Sequence, residues 1–157
     1  MSAVFRWRII AAAMAAATFL AGPPAIAAPG DPVAFAKTLY AQPELWMSVG
    51  ATPDNRGKFL TPALAKWVVD VNGDFVNMLE YDPLADSQPF QLSNESFTLV
   101  GSNDTAASVK VDFKSYDNPH TLTLKLVSSG DRWLLADIDF PNRGTLVAAL
   151  QMAAMCR

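Results

Sequence analysis

The chain has one cysteine, Cys156, and one histidine, His120, among its 157 residues. A lone cysteine excludes an intramolecular disulfide, and one histidine with one tail cysteine falls short of the ligand sets that zinc sites use. Cys156 has no histidine or other base near it in sequence, and the C-terminal end of a helix does not stabilise a thiolate, so it reads as a passive thiol. Contiguous catalytic signatures are missing too: there is no Gly-rich phosphate loop, no G-x-S-x-G and no H-E-x-x-H. Basic residues are the minority, twelve Lys and Arg against fifteen Asp and Glu. That balance disfavours nucleic acid and anionic membrane surfaces as partners. No cofactor is implied.

What is present begins with an export signal. Arg6 and Arg8 form a basic start, residues 9–21 are apolar, Gly22-Pro23-Pro24 breaks the helix, and Ala25-Ile26-Ala27 offers the small residues a signal peptidase accommodates. The 13 apolar residues rise only about 20 Å as a helix, short of a hydrocarbon core of roughly 30 Å, so the segment reads as a leader and not an anchor. Arg6-Trp7-Arg8 is not a twin-arginine pair, and no cysteine follows the cleavage position to carry a lipid. Cleavage after Ala27 leaves 28–157 as a single domain of 130 residues, periplasmic or secreted, with ten basic and fifteen acidic side chains. A chain of that size can bury roughly two-thirds of the surface it exposes when unfolded, enough for one core.

Asp31-Pro32 pairs a capping residue with proline at the first helical position, and Val33, Ala36 and Tyr40 then recur on one face. Residues 43–58, with two prolines and two glycines, read as a long loop. Thr61-Pro62 repeats the cap, and Leu64, Trp67, Val68 and Val71 follow at helical spacing. Beyond residue 91 the period changes to two. Phe97 and Leu99, then Val109, Val111 and Phe113, then Leu122, Leu124 and Leu126 alternate with polar residues, and turn signals at 102–104, 117–119 and 129–131 separate them. The spacing predicts a four-stranded antiparallel meander ending on 132–140, followed by a short helix carrying Leu146, Leu150 and Ala153. The fold class is α+β, with the helices laid across the sheet's one apolar face.

Leu60-Thr61-Pro62-Ala63-Leu64, Asp82-Pro83-Leu84 and Trp133-Leu134-Leu135-Ala136-Asp137-Ile138, followed by a leucine-bearing tail helix, carry a resemblance that spans 31–150. The chain resembles the cone-shaped cystatin-like superfamily of nuclear transport factor two, ketosteroid isomerase and scytalone dehydratase. More narrowly it is similar to a family of small exported bacterial proteins with no established activity. The superfamily hosts both enzymes and binding modules, so the resemblance implies a fold and does not choose a function.

Five features could carry chemistry. Asp137 and Asp139 are two apart on the last strand and share a face; with Lys110, Lys114 and Lys125 they read as cross-strand ion pairs on the outer side. His120 follows the Asn118-Pro119 turn and reads as exposed and idle unless it faces the cone opening, where it would serve as a general base. Asp70-Val71-Asn72-Gly73-Asp74 starts like a calcium loop, but Phe75 stands where glycine is needed and Tyr81 where the bidentate glutamate belongs, so it reads as a helix end. Tyr40, Trp67, Phe75 and Tyr81, with Trp46 beside them, are aromatic walls for a small apolar ligand. Trp133 and Leu135, alternating with the core residues Leu134, Ala136 and Ile138, fall on the outer face and call for a cover there, either the C-terminal tail or a second copy in a homodimer.

The function expected is therefore an exported, non-catalytic domain that binds a partner protein or a small apolar ligand. A metal-independent lyase or isomerase on a small hydrophobic substrate is the alternative. An enzyme needs at least two titratable groups converging in the cavity, and the helical half offers chiefly Glu80, Asp82, Asp86 and the tyrosines.

Overall fold

A computed structural model describes residues 29–42, 52–70, 79, 81–87 and 92–155. Asp31 caps α1 (Pro32–Tyr40), its carboxylate accepting from the Val33 amide at 2.9 Å. Thr52 caps α2 (Pro53–Phe59), and Thr61 caps α3 (Pro62–Asp70), its hydroxyl accepting from the Leu64 amide at 3.3 Å. Each of these helices opens with proline, whose missing N–H is no loss in a first turn. The segment read as an unbroken loop over 43–58 therefore holds a helix. Thr52-Pro53 is the same cap-and-proline signal, outweighed in the sequence by its glycine and asparagine content.

The sheet runs β1 (Leu92–Ser102), β2 (Ala106–Ser115), β3 (Asn118–Ser129), β4 (Arg132–Phe140) and β5 (Gly144–Thr145), in that order and antiparallel throughout. The fifth strand is two residues long, too short to leave an alternation in the sequence. After it comes α4 (Leu146–Met155). The β2–β3 turn sits one residue earlier than its Asn-Pro signal implies, on Tyr116 and Asp117, both with positive φ, as tight hairpins require.

One face of the sheet is buried by the four helices of the described residues. Val109, Val111 and Phe113, Leu122, Leu124 and Leu126, and Leu135, Ile138 and Phe140 meet Leu39, Leu60, Leu64, Val68, Leu146 and Leu150. The segregated α+β architecture is as the sequence implied. Among the described residues no helix is long and apolar enough to cross a membrane.

Strand β4 overturns the expected outer-face dimer. Lys125 is opposite Asp137 but Leu126 is opposite Leu135, so Ala136 is an extra residue, a bulge that shifts the alternation by one. Ile138 and Phe140 face the core on one side of it, Leu135 and Trp133 on the other. Trp133 is 4% exposed and Leu135 0%, and both belong to the core cluster. The indole N–H of Trp133 donates to the Gly30 carbonyl, tying the N-terminal segment to the sheet. Leu134 lies on the opposite face, which it shares with Val127, and is buried there at 5% exposed, outside the main core cluster. The pair Trp133 and Leu135 is buried within the subunit and presents no surface to a second copy.

Outer-face ion pairing also differs from expectation. Lys110 pairs with Asp112 on its own strand at 2.8 Å. Its hydrogen bond, then that of the Thr121 hydroxyl at 2.7 Å, holds the Asp112 carboxyl below the usual carboxylate range. Asp137 takes two backbone amides, Ile138 at 2.8 Å and Val147 at 3.0 Å, and so bridges the bulge to the first turn of α4. Among the described residues neither Asp137 nor Asp139 forms an ion pair.

Candidate functional site

An up-and-down meander brings alternate turns to the same end of the sheet. Here that end holds the β2–β3 turn, the β4–β5 turn and the loop 82–87. The loop closes on itself: Asp82 accepts from the Leu84 amide through its carboxylate at 2.8 Å and from the Ala85 and Asp86 amides through its carbonyl at 3.1 and 2.8 Å. The Asp82 amide donates to the Ser87 carbonyl at 3.1 Å. Asp86 adopts a left-handed φ of 50°, one of few conformations an aspartate tolerates where most residues do not. Leu84 and Ala85 are buried beneath, Tyr40 donates its hydroxyl to the Leu84 carbonyl at 2.7 Å, and Ser87 meets the buried Ser115 hydroxyl at 2.8 Å. The loop is thus fixed to α1 and to β2, and Asp86 is presented at its corner.

There the carboxylate of Asp86 is shared. One oxygen meets Nδ1 of His120 at 3.2 Å, and the other accepts from the guanidinium of Arg143. Because a carboxylate can only accept, Nδ1 must carry the proton, which leaves Nε2 of a neutral ring as the acceptor. The imidazole lies parallel to the Phe113 ring, 4° apart in plane and 5.4 Å between centroids. The Arg143 guanidinium sits 4.4 Å from the Tyr81 ring centroid, and Tyr81 in turn packs edge-on against Phe140 at 6.0 Å. Burial pushes the Tyr81 phenol up, and the Arg143 cation partly opposes it. Asp86 and His120 keep 17% and 20% of their side-chain surface, whereas Arg143 keeps 45%, so the carboxylate and the imidazole are largely withdrawn from water and the guanidinium reaches them from the surface. Buried charge survives only when paired, and here one anion serves two donors.

A cleft of about 600 Å³ opens beside this cluster. Asp86, His120, Thr121, Asn142 and Arg143 give it polar groups, and Pro119, Phe140 and Pro141 give it apolar walls. The arrangement can offer hydrogen-bond donors to an acceptor group while laying rings against an apolar body. Among the described residues no three His, Cys, Asp or Glu side chains are placed to hold a metal ion.

Of the four aromatics read as a ligand wall, the three among the described residues occupy different places. Tyr40 lies under the 82–87 loop, edge-on to Phe97 at 5.3 Å and tilted on Phe113 at 6.3 Å. Burial first, then the charges of Asp82 and Glu95, raise its phenol well above the ordinary value. Trp67 is half-buried on α3 against the core. Tyr81 supports Arg143 at the cleft, and Phe75 lies outside the described residues, as do Trp46, Cys156 and residues 71–78 of the calcium-like segment. The structure therefore brings Tyr40 and Tyr81 to the two sides of one loop and does not place Trp67 in the cleft. His120, expected to be exposed, is half-buried and hydrogen-bonded to Asp86. Arg143 and Asn142 went unnoticed in the sequence, where Pro141-Asn142 looked only like the end of a strand. The meander topology was the available signal, since it puts the residues after β4 next to those that begin β3.

No protein-family model matches the chain, and no curated protein does. Among solved structures it is similar to a phospholipid-binding protein from Ralstonia solanacearum, described in complex with a phospholipid. The similarity covers 81% of this chain and 85% of that one, at 15% identity and a TM-score of 0.45.

Proposed function

We propose that this chain is an exported, non-catalytic binding domain of the cone-shaped class, whose ligand is a small, mainly apolar molecule with one acceptor group. The observation that carries this reading is the shared carboxylate of Asp86, which holds Arg143 and His120 at the edge of a cleft that Pro119, Phe140 and Pro141 line together with Thr121 and Asn142. A carboxylate or phosphate end would meet the remaining guanidinium N–H groups and the Asn142 amide. Its apolar body would lie on Pro119, Phe140 and Pro141. Export rests on the leader at 1–27, and an intact mass of the exported protein that begins at Ala28 is the expected result.

A nuclear magnetic resonance titration with medium-chain carboxylates tests the binding site. Saturable shifts at the amides of His120, Thr121, Asn142 and Arg143, lost in Arg143→Ala, are expected. Shifts confined to α3, or none with any ligand, would sink the reading. The Asp86–His120 pair favours a second reading as a metal-independent lyase or isomerase, because an oriented imidazole with a free acceptor nitrogen is what proton abstraction needs. Turnover of a bound ligand that His120→Asn abolishes without weakening binding would select it.

A further inference from the structure

The two edges of the sheet are treated differently. On the β4 side, β5 pairs with Asp139 and Phe140, and upstream the chain at Leu60 bridges Leu135, with the Thr61 amide donating to the Leu135 carbonyl at 2.9 Å. On the other side β1 is the last strand, and among the described residues none pairs with its outer edge: residues 93–96 and 98–102 are all exposed. Edge strands in soluble proteins carry lysine, proline or inward charge that discourages pairing. From Ser96 to Ser102 β1 has no lysine, proline or charge, only the bulge between Leu99 and Gly101, and it holds the two exposed aliphatic side chains Leu99 (45%) and Val100 (63%).

We propose that β1 pairs with β1 of a second copy, antiparallel about a two-fold axis at Thr98, to make one continuous sheet. The register follows from the side chains. Phe97 and Leu99 are opposite Val111 and Val109 of β2, so both lie on the core-facing side. An axis at Thr98 sets Phe97 opposite the partner's Leu99, and Leu99 opposite the partner's Phe97, an aromatic–aliphatic pair that extends the apolar face across the junction. Tyr40 of α1 covers Phe97 from its own subunit, whereas Leu99 keeps nearly half its surface for the partner. Thr98 meets its own copy on the other face, Glu95 falls opposite glycine, and no like charges oppose each other. The bulge between Leu99 and Gly101 and the irregularity between Ser93 and Ser96 confine regular pairing about an axis at Thr98 to the short stretch 97–99, so the association is weak and reversible.

Sedimentation velocity of the mature chain over a concentration series should show dimer growing with concentration, and Leu99→Lys should abolish it without changing the far-ultraviolet spectrum. A second measurement is independent of that variant's folding. In a Cys156→Ser background, Thr98→Cys should oxidise to a covalent dimer, since on-axis Cβ atoms come within about 5.5 Å, while Thr123→Cys on β3 should not. A chain that stays monomeric at the highest soluble concentration overturns the proposal. So does a dimer that Leu99→Lys leaves intact and Thr98→Cys does not lock. Neither result bears on the cleft.

Discussion

At the scale of single residues, the tyrosine under the 82–87 loop has the sharpest consequences. Tyr40 spends its hydroxyl on the Leu84 carbonyl, so Tyr40→Phe should cost about 1–2 kcal/mol, read as a lower urea midpoint at unchanged slope. Its raised pKa adds a pH dependence. A group whose folded pKa lies above its unfolded value contributes stability that is fully present below the unfolded value, near 10, and is lost as pH rises toward the folded one. Wild type should therefore weaken above about pH 10, and Tyr40→Phe should weaken less steeply there. The tryptophans rank in the order of their burial. Trp133, almost fully buried with its N–H bonded to Gly30, should cost about 3–5 kcal/mol when replaced by alanine. Trp67, on a stripe that reads as core, is only half-buried and should cost clearly less. Equal losses in parallel denaturation curves would mean that half-burial understates how tightly Trp67 is packed.

At the scale of elements, what the sequence made legible and what it hid divide along one line. Caps and periods are local, and they located α1, α3, the strand alternation and the full extent of β4. The bulge at Ala136 is not local. An extra residue in one strand is defined only against its partner, and β4 read alone alternates well enough in either phase, since leucines stand at both 134 and 135. That one residue put Trp133 and Leu135 on the face of the main core and Leu134, also buried, on the opposite one. It also turned Asp137 from a surface ion-pair partner into the acceptor for the Ile138 and Val147 amides. The cluster at the cleft was hidden for the same reason: Asp86 and His120 are 34 apart in sequence, and Arg143 is 57 from Asp86. Asp137→Ala should cost about 1–2 kcal/mol, as for a lost helix cap, with Asp137→Asn milder. Asp139→Ala, which removes no such bonds, should be near neutral. If both alanine variants melt alike, the α4 start does not depend on Asp137.

At the scale of the whole molecule, three connections that are far apart in sequence converge on one carboxylate. The 82–87 loop supplies Asp86, the start of β3 supplies His120, and the turn after β4 supplies Arg143. Asp86 therefore holds the two donors in place and also partly neutralises the guanidinium. These roles predict opposite results when it is removed. If holding dominates, Asp86→Ala frees the guanidinium and the imidazole to move, and affinity for an acceptor-bearing ligand falls even though no donor was deleted. If neutralisation dominates, the same variant leaves an uncompensated cation at the cleft, and affinity rises. The geometry favours holding. Arg143 is also stacked on Tyr81, but 45% of its side chain is exposed, so ring contact alone leaves it room to swing away. His120 is stacked on Phe113, yet only Asp86 fixes which of its nitrogens carries the proton. Isothermal titration of the best carboxylate ligand should thus show Asp86→Ala weaker than wild type by about tenfold, the loss of one charge-assisted hydrogen bond. Adding Arg143→Ala to it should cost less than Arg143→Ala costs alone, because the two residues act as a unit. Tighter binding by Asp86→Ala, or full additivity of the two substitutions, would show that Arg143 meets the ligand without help from Asp86.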